Sequence, residues 1–262
     1  MQQASQRSDN ATPTQPPVVD LVIPVLNEAH VLAESVATVR AFLSHQDWQS
    51  RVVIVDNGST DGTDRVAREL VAAHPNVRFL QLPQRGRGRA LRHAWTQSDA
   101  DIMAYTDVDL STELEALPPL VAGIWSGHYD LGTGSRLLRQ SQTTRSPKRE
   151  FISRCYNLFV KAVLWTSFSD AQCGFKAVSR RVVSEIVPQV EDQAWFFDTE
   201  LLVLSEKQGY RIMDRPVRWI EDDDSRVKIF STAWEDIKGV FRVRMKLWRG
   251  RLSPTNRTAL SA

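Results

Sequence analysis

Two aspartates stand at alternate positions directly after a short apolar segment. They are Asp107 and Asp109 in the string YTDVDLST, which follows the segment 101–106. Alternate side chains of an extended segment share a face, so we expect both carboxylates to project to the same side. Converged carboxylates, together with substrate phosphates, complete the oxygen shell of Mg²⁺ or Mn²⁺. The pair predicts a metal site that also takes a phosphorylated substrate; two solvated aspartates at a strand end are the alternative.

Two further strings could bind an anion. DNGSTDGT (56–63) places turn-forming residues before a predicted helix, where free N–H groups and the helix dipole could meet an anion or a base. PQRGRGRA (83–90) combines glycines with Arg85, Arg87 and Arg89, which we expect to form a mobile cationic strip suited to a diphosphate. A well-capped loop and an exposed basic loop are the respective alternatives.

The elements that must position these residues alternate between strand and helix. Short aliphatic runs predict buried strands, and apolar residues at spacings of three and four predict helices between them. Asn27 and Asp61 are expected to cap the first two helices. Such alternation predicts an α/β fold with a mostly parallel central sheet flanked by helices. The predicted strands are 18–26, 51–55, 77–82 and 101–106, and the helices carry Leu32, Val36, Val39 and Leu43, then Val66, Leu70 and Ala73, then residues from about 89 to 97.

Ligands of such sheets sit beyond the carboxyl ends of the strands, so the loops after each strand are the places to seek chemistry. After Ser126 the alternation is less regular, and this half is expected to carry a second substrate. It holds a predicted strand at 129–135, a basic stretch up to Arg154, and predicted helices near 153–167, 179–187 and 199–208.

Composition narrows the class of protein. The 262 residues are 42% hydrophobic and 24% charged, with a net charge of +2, which gives no reason to expect a nucleic acid partner. No apolar run approaches the ~20 residues that span a bilayer. The first residues lack the apolar core of a secretory signal, so we expect a cytosolic protein. Cys155 and Cys173 are expected to be reduced, buried thiols.

We predict one folded domain over 18–250, between disordered tails at 1–17 and 251–262. Residues 1–17 are rich in Gln, Ser, Thr and Pro and have almost no aliphatic content, so they cannot bury enough apolar surface to offset the entropy of ordering. Neither an internal repeat nor a domain linker is visible between the two halves. The oligomeric state is not predicted.

An ordered series of strings resembles glycosyltransferase family 2. From Ile23 to Leu202 the series runs IPVLNE, VDNGSTDGT, GRGRA, DVDLST, GSR, CGFKA and FDTELL. Within that family the chain is most similar to polyprenyl-phosphate and dolichyl-phosphate sugar synthases, especially the dolichyl-phosphate β-glucosyltransferase branch, which shares YTDVDLST, DAQCGFKA and WFFDTELL. The resemblance covers about residues 18 to 245 and implies the GT-A fold.

The resemblance also implies roles for the donor residues. Pro24, Leu26 and Glu28 would line the nucleoside pocket, and Asp56 would contact the base or ribose. Asp107 and Asp109 would hold the metal and the diphosphate, which the cationic Arg87 would also meet. Where relatives often have a second acid and a Gln, this sequence has Asn57 and Ser111. A loop with Arg226 and Lys228 is expected to close over the diphosphate, unless it is a plain surface loop.

On the acceptor side the resemblance assigns the lipid phosphate to Arg136, Arg149 and Ser153. An Arg fork can bind phosphate in a bidentate way, and residues four apart share one face of a helix. With Asp107 and Asp109, Arg136 is then counted among the catalytic residues. A solvated basic face that also includes Arg145, Lys148 and Arg154 is the alternative interpretation of this stretch.

The predicted activity is an inverting transfer of a sugar from a nucleotide diphosphate, by resemblance a UDP-sugar, to a polyprenyl phosphate. A phosphate monoester has its second pKa near 6, so no strong general base is needed.

The basic, partly apolar segment 238–251 is expected to attach the protein to the cytosolic membrane face, unless it packs on the domain. One alternative is transfer to a saccharide or protein hydroxyl, with Asp170 or Asp198 as base. Another is a nucleotide-sugar-binding module without turnover.

Overall fold

The structure, a computed structural model, describes residues 15–220 and 229–250, with the backbone alone for 229–233. The strands are β1 (Val18–Val25), β2 (Gln49–Asp56), β3 (Val77–Gln81), β4 (Ile102–Thr106), β5 (Leu131–Ser135), β6 (Gln142–Thr144), β7 (Phe175–Ser179), β8 (Ile212–Pro216) and β9 (Arg218–Ile220). The helices are α1 (Leu32–Leu43), α2 (Thr63–Ala73), α3 (Arg87–Gln97), α4 (Leu117–Trp125), α5 (Pro147–Leu164), α6 (Arg180–Glu185), α7 (Phe197–Lys207) and α8 (Ile229–Trp248).

The central sheet has seven strands in the order β3-β2-β1-β4-β7-β5-β8. The first four are parallel, and β7 runs antiparallel to both of its neighbours, β4 and β5. The predicted mostly parallel sheet is therefore confirmed. The chain moves outward from β1 through β2 to β3 and then returns to place β4 on the other side of β1. This reversal makes the carboxyl ends of β1 and β4 the expected ligand crevice.

Helices cover both faces of the sheet and create two apolar cores. The helices α1, α2 and α4 pack on one face, and α3, α5, α6, α7 and α8 contribute to the core on the other. Strand β1 shows why its residues form a strand with no solvent face. Leu21 and Ile23 enter the first core and Val22 enters the second, and all three are almost fully buried. The continuous aliphatic run thus reflects burial on both sides.

Three helix starts differ from the predictions. Helix α1 begins at Leu32, and Asn27 lies before it in a left-handed conformation (φ 58°), so the predicted Asn27 cap is wrong. The N-cap of α2 is Gly62 rather than the predicted Asp61, although the Asp61 carboxylate accepts the backbone N–H of Thr63, the first residue of α2, at 3.0 Å. Helix α3 begins at Arg87, inside the stretch that was predicted to be a loop.

Helix α5 begins earlier than predicted. It starts at Pro147 rather than near residue 153, because Ser146 caps it by accepting the backbone N–H of Arg149 and proline suits the first helical position. The predicted burial is wrong for one of the two cysteines. Both thiols are free as predicted, but Cys155 on α5 is exposed, whereas Cys173 is buried and burial raises its pKa to about 11.

Parts of several predictions fall on residues that the structure does not describe. These are most of the N-terminal tail (1–14), the C-terminal tail (251–262) and the loop with Arg226 and Lys228 (221–228). Within the described parts of the chain, none of the helices has the length and apolar character required to cross a bilayer.

Candidate active site

The loops after β1 and β2 are tied to each other at the carboxyl edge of the sheet. The Asn27 N–H donates to the Ser59 hydroxyl at 2.8 Å, and the Thr60 N–H donates to the Asn27 side-chain oxygen at 2.8 Å. The left-handed backbone of Asn27 allows both bonds, and Asn tolerates that conformation better than most residues. The two loops therefore form one preorganised platform.

The three residues predicted for a nucleoside pocket lie along this platform. Pro24 belongs to the end of β1, and Leu26 and Glu28 follow it in the loop. All three side chains are half-buried, so each keeps some surface for a ligand. The Glu28 backbone N–H is held by the Thr63 hydroxyl at 2.9 Å, which fixes the loop against the start of α2.

Asp56 ends β2 at the same edge, but it is fully buried. One of its carboxylate oxygens accepts the Ser59 N–H at 3.0 Å, and the other accepts the Gln81 side-chain amide at 3.3 Å. The neighbouring Asn57 was not among the predicted site residues. Its side chain is nearly buried, and its oxygen has no hydrogen-bond partner. A buried acceptor without a donor is costly, so this oxygen is a candidate ligand contact.

The segment with the two predicted metal ligands turns rather than continuing the strand. Strand β4 ends at Thr106, the Asp107 carbonyl accepts the Leu110 N–H at 3.2 Å, and Leu110 is left-handed (φ 50°). The expected extended geometry is therefore wrong, because the tight turn brings the carboxylates close instead. Asp109 is exposed, and one of its oxygens accepts the Ser111 N–H at 2.9 Å.

Gly174 gives Asp107 the space that it occupies. The antiparallel register of β4 and β7 pairs Thr106 with Phe175, so the residues just beyond them, Asp107 and Gly174, face each other. A Cβ atom on Gly174 would lie 1.8 Å from the Asp107 Oδ2 atom. No real Cβ atom approaches an oxygen so closely, so any other residue at this position would force the Asp107 carboxylate to move.

Arg87 is a buried part of this site, not a mobile cation. Its Nη2 atom lies 3.0 Å from Asp107 Oδ1 and donates to the Tyr105 hydroxyl at 3.1 Å, while its Nη1 atom lies 3.8 Å from Asp198 Oδ2. The Trp195 ring packs on the guanidinium at 5.0 Å. Burial alone would lower the pKa of Arg87, but the nearby carboxylates outweigh it and raise that pKa. The prediction that Arg87 belongs to a mobile cationic strip is therefore wrong.

Asp198 lies beneath this layer and is 2% exposed. Its carboxylate accepts the Tyr105 hydroxyl and lies 3.2 Å from the Nζ atom of Lys176, which is itself fully buried. Two buried cations, Lys176 and Arg87, thus balance two carboxylates, Asp198 and Asp107. A carboxylate held in this way supports the site and has no open path to an acceptor hydroxyl.

The electrostatic setting of Asp107 suits a cation. Burial is the largest cause that raises its pKa above the ordinary value, repulsion from Asp109 and Asp198 adds to the rise, and Arg87 opposes it. The Asp107 side chain is still 38% exposed, so water tempers the effect of burial. A cation placed between Asp107 and Asp109 would relieve their repulsion.

The donor atoms available here fit a hard divalent ion that shares its shell with a substrate. Asp107 and Asp109 offer carboxylate oxygens, which Mg²⁺ and Mn²⁺ prefer. Among the residues that the structure describes, no three His, Cys, Asp or Glu side chains form a self-sufficient metal site. The pair therefore fits an ion whose remaining ligands are phosphate oxygens and water.

Arg136, which was predicted to bind the acceptor phosphate, forms a buried ion pair with Asp170. The Arg136 guanidinium donates to both Asp170 oxygens, at 2.8 Å from Nε and 3.0 Å from Nη2, and its backbone N–H donates at 3.1 Å. Burial alone would raise the pKa of Asp170, but the Arg136 charge and hydrogen bonds lower it to about 2. Asp170 is fully buried, so it too is a partner of an arginine rather than an accessible base.

Trp219 brings a second arginine beside Arg136. The Trp219 ring centroid lies 5.6 Å from the Arg136 guanidinium carbon and 5.9 Å from that of Arg145. An isolated bridge pairs Trp219 with Thr112, just after the turn that holds Asp107 and Asp109, so this cluster adjoins the two aspartates. Arg145 is nearly buried and donates to Glu150, which makes it part of a built cluster rather than of a solvated face.

The other two predicted acceptor residues lie on α5. Arg149 and Ser153 occupy its first two turns with the i, i+4 spacing of one helix face, and both are half-buried. Arg145 and the cap Ser146 directly precede the helix. The start of α5 therefore lies on the side of the site that holds Arg136 and Trp219.

Sequence reasoning missed Gly174, Lys176, Tyr105 and Trp219 as parts of the site. Gly174 and Lys176 stand in CGFKA, a string noted for its resemblance alone. The antiparallel direction of β7 was not predicted, and only that direction brings CGFKA to the carboxyl end of β4. A glycine directly before a buried strand was the one local signal.

A family model described as Glycosyl transferase family 2 matches residues 20–187. Glycosyltransferase AglD of Haloferax volcanii is 34% identical over 235 residues, which are 88% of this chain and 37% of that protein. The dolichyl-phosphate beta-glucosyltransferase of Dictyostelium discoideum is 27% identical over 256 residues, with 92% of this chain and 78% of that protein covered. The chain spans 65% of the dolichyl-phosphate beta-glucosyltransferase ALG5C of Trichomonas vaginalis.

Among solved structures, glucosyl-3-phosphoglycerate synthase from Mycobacterium tuberculosis in complex with uridine diphosphate superposes with a TM-score of 0.66. The sequences are 19% identical, and the match covers 87% of this chain and 80% of that one. This likeness concerns the fold, and it confirms the GT-A architecture that the motifs implied.

Proposed function

Because the chain belongs to glycosyl transferase family 2, we propose that it transfers a sugar from a UDP-sugar to a polyprenyl or dolichyl phosphate, with inversion at the anomeric carbon. Similarity to dolichyl-phosphate beta-glucosyltransferases supports this acceptor. The observation that carries the proposal is that Asp170 and Asp198, the aspartates considered as bases, are both buried in ion pairs. A nucleophile that is already ionised fits such a site.

The proposed donor binds across the platform formed by the loops after β1 and β2. Pro24, Leu26 and Glu28 line the nucleoside, and Asp56 fixes the loop that faces the base. The unpartnered Asn57 oxygen fits a base that presents an N–H group, such as the N3–H group of uracil, and the choice of UDP follows from the resemblance. Arg87 stands beside Asp107 and contributes a permanent positive charge near the diphosphate.

Asp107 and Asp109 would hold Mg²⁺ or Mn²⁺, which supplies positive charge to the departing diphosphate. Gly174 leaves room for the Asp107 carboxylate, and Arg87 holds one Asp107 oxygen, so the orientation of this carboxylate is set before the donor arrives. Preorganised charge of this kind lowers the barrier because little rearrangement is needed during the reaction.

The proposed acceptor phosphate is held by Arg136, Arg149 and Ser153. Asp170 fixes the Arg136 fork, and the remaining Nη1 group is the donor left for an anion. An oxygen of the acceptor phosphate forms a bond to the anomeric carbon, and the bond from that carbon to the diphosphate oxygen breaks with its electron pair. The acceptor gives up no proton when it is a dianion, so the residues position the oxygen rather than activate it.

Transfer to a saccharide or protein hydroxyl would require a base near the acceptor. The Asp198 carboxylate is already engaged by ion pairs with Lys176 and Arg87 and by a hydrogen bond from Tyr105. The Asp170 carboxylate is engaged by its ion pair with Arg136. These contacts disfavour the hydroxyl acceptor. The lipid acceptor also implies that the enzyme works at a membrane surface, and we propose the cytosolic face.

A direct test incubates the protein with UDP- and GDP-sugars, Mg²⁺ or Mn²⁺, and a short polyprenyl phosphate, and identifies products by mass spectrometry. We expect a lipid-linked sugar monophosphate from a UDP-sugar. Titration calorimetry should show UDP binding that the divalent ion strengthens. Tight GDP binding without UDP binding would reject the donor, and transfer only to sugar hydroxyls would reject the acceptor. Binding of UDP-sugars without any turnover would support a binding module instead.

A further inference from the structure

Helices α5 and α8 carry most of the exposed large hydrophobic side chains. Ten such side chains are exposed among the described residues; six of them belong to these two helices, and a seventh caps the end of α5. The seven are Phe151 and Leu158 on α5, Trp165 directly after its last residue, and Trp234, Phe241, Met245 and Trp248 on α8. Exposed apolar residues that cluster instead of scattering mark an interaction site.

The residues on each helix form one stripe. On α5, Phe151 and Leu158 are seven positions apart, which places them within about 20° of the helix circumference, and Trp165 follows in a left-handed conformation at the end of the helix. On α8 the four members fall within about 60°. The α8 stripe runs from its first to its last member over about 21 Å of helix axis. Cys155 and Ala162, which are also exposed, continue the apolar character of the α5 stripe.

The two stripes adjoin each other. The rings of Phe159 on α5 and Phe241 on α8 meet edge to face at 6.2 Å. The Arg244 guanidinium carbon of α8 lies 4.0 Å from the Trp165 ring centroid of α5. The seven exposed side chains therefore belong to one surface, which we call the α5–α8 face.

The charge around this face is positive. From Trp234 to Gly250 the chain carries five cations against two acids, Glu235 and the buried Asp236. Lys238 pairs with Glu235, and Arg242 and Lys246 pair with Glu191, so the excess of positive charge is moderate. Helix α5 adds four cations against the single acid Glu150. The Arg154 and Lys238 side chains are more than half exposed, at 60% and 54%. The cations are Lys148, Arg149, Arg154 and Lys161 on α5, and Lys238, Arg242, Arg244, Lys246 and Arg249 on or just beyond α8.

We propose that the α5–α8 face docks on an anionic lipid bilayer, with both helices lying in the plane of its interface. Apolar stripes rich in tryptophan and bordered by Lys and Arg are what such a position requires. A second copy of the chain is a poorer occupant, because a two-fold contact would set two positive faces against each other. The inference deepens the proposed function by naming the surface that meets the membrane.

Docking through this face would present the acceptor side of the site to the lipid. Phe151 lies between Arg149 and Ser153 in the first turns of α5, so the proposed phosphate contacts stand at one end of the face. Helix α8 reaches the site as well, because the Asp236 carboxylate accepts the Gln172 side-chain amide at 2.6 Å. Gln172 lies between Asp170 and Gly174, so a bilayer-bound α8 would hold the loop that supports Arg136 and Asp107.

The test measures flotation of the full chain with vesicles of phosphatidylcholine alone or mixed with phosphatidylglycerol. The paired variant W165S/W248S removes apolar area from both stripes, and K238A/R249A removes two border cations. The matched controls V71S and R65A change exposed residues of α2, which is outside the face. Circular dichroism and thermal unfolding establish that each variant is folded.

We expect the wild type to float only with anionic vesicles and less at high salt. K238A/R249A should lower the partition coefficient about thirtyfold, and W165S/W248S at least tenfold, while the controls match the wild type. Wild-type behaviour of both face variants, or flotation that ignores lipid charge, would overturn the proposal. So would sedimentation that shows a dimer which W165S/W248S dissociates while no vesicle binding occurs.

The same variants separate this inference from the proposed function. W165S/W248S should keep its transfer rate with a short, water-soluble polyprenyl phosphate and lose rate with a long-chain acceptor embedded in vesicles. Flotation of a wild type that transfers no sugar would leave the face standing and reject the function. Sugar transfer by a wild type that binds no vesicle would support the proposed function and reject the membrane role of the α5–α8 face.

Discussion

The Arg136 guanidinium donates two parallel hydrogen bonds to the Asp170 carboxylate, from Nε to Oδ2 at 2.8 Å and from Nη2 to Oδ1 at 3.0 Å. Such a pair uses the planar fork of arginine, which the point charge of lysine cannot reproduce. Because Asp170 is fully buried, its hold on Arg136 is shielded from water and salt. The orientation of Arg136 on the acceptor side is therefore built into the protein.

Replacing Arg136 by lysine should separate acceptor from donor recognition. We expect Arg136→Lys to lower transfer on the order of 100-fold, because lysine lacks the fork by which Asp170 orients Arg136 and therefore cannot present a fixed donor to the acceptor phosphate. Calorimetry should find UDP binding unchanged. Arg65→Lys, on the exposed face of α2, is the control and should behave as the wild type. Equal losses of transfer and of UDP binding would assign Arg136 to the donor instead.

Replacing Asp170 by asparagine should change the dependence of stability on pH. At neutral pH the variant should lose about 3 to 5 kcal/mol of unfolding free energy, because Arg136 is left buried without its counter-charge. The folded pKa of Asp170, about 2, lies below its ordinary value of 3.8, so its contribution is complete above pH 4. The contribution is lost as the pH falls from about 4 to about 2.

Denaturant unfolding of the wild type and Asp170→Asn across that pH range checks the prediction. The difference between the two proteins should be constant near neutrality and shrink below pH 4. A difference that grows on acidification would contradict the ion pair.

Gly174→Ala should damage the site by displacing one carboxylate. The added methyl group would meet the Asp107 Oδ2 atom at 1.8 Å, so Asp107 must leave its position. We expect activity to fall at least tenfold, with an unfolding cost of about 1 to 3 kcal/mol. Gly123→Ala on α4 is the matched control, because its Cβ atom would meet only the movable side chains of Met213 and Tyr129 at 3.1 Å. Wild-type kinetics of Gly174→Ala would show that the Asp107 position is unimportant.

Asp109→Ala tests the proposed metal ligand. Asp109 is exposed and makes a single local hydrogen bond to the Ser111 N–H, so the variant should remain folded. We expect transfer to fall on the order of 100-fold or more and the response to added Mg²⁺ or Mn²⁺ to weaken. Asp47→Ala, an exposed aspartate after α1, is the comparison. Full activity of Asp109→Ala in excess EDTA would refute the metal role.

The dependence of the rate on pH should follow the acceptor. With a phosphate acceptor, kcat/KM should fall below about pH 6, where the dianion takes up a proton. A phosphonate acceptor with a higher second pKa should move that limb upward by the same amount. The measurement is a pair of pH profiles at saturating UDP-sugar. A limb that stays in place for both acceptors would instead assign it to a group of the protein such as Asp107, whose pKa is raised to about 6 by burial and by nearby carboxylates.

The sequence alone determined the architecture of the donor half. Aliphatic runs such as 18–25 are buried on both faces, and the turn formers between them leave few ways to join strand to helix, so local pattern was sufficient. The same rule predicted that Asp107 and Asp109 would lie at the ligand edge, because residues after a parallel strand reach that edge whatever the details of the turn. Only the extended geometry of the pair was wrong.

Tertiary structure alone decided the partners of the charges. Asp107 meets Gly174 because β7 runs antiparallel to β4, and Asp170 meets Arg136 across distant segments of the chain. Local periodicity cannot predict such pairings, since strand direction depends on the packing of the whole sheet. Burial turned Arg87 from a predicted mobile cation into a fixed one, and the contact of α5 with α8 joined two separate stripes into one face. Each of these outcomes depends on which distant surfaces exclude water together, and that is a property of the folded chain.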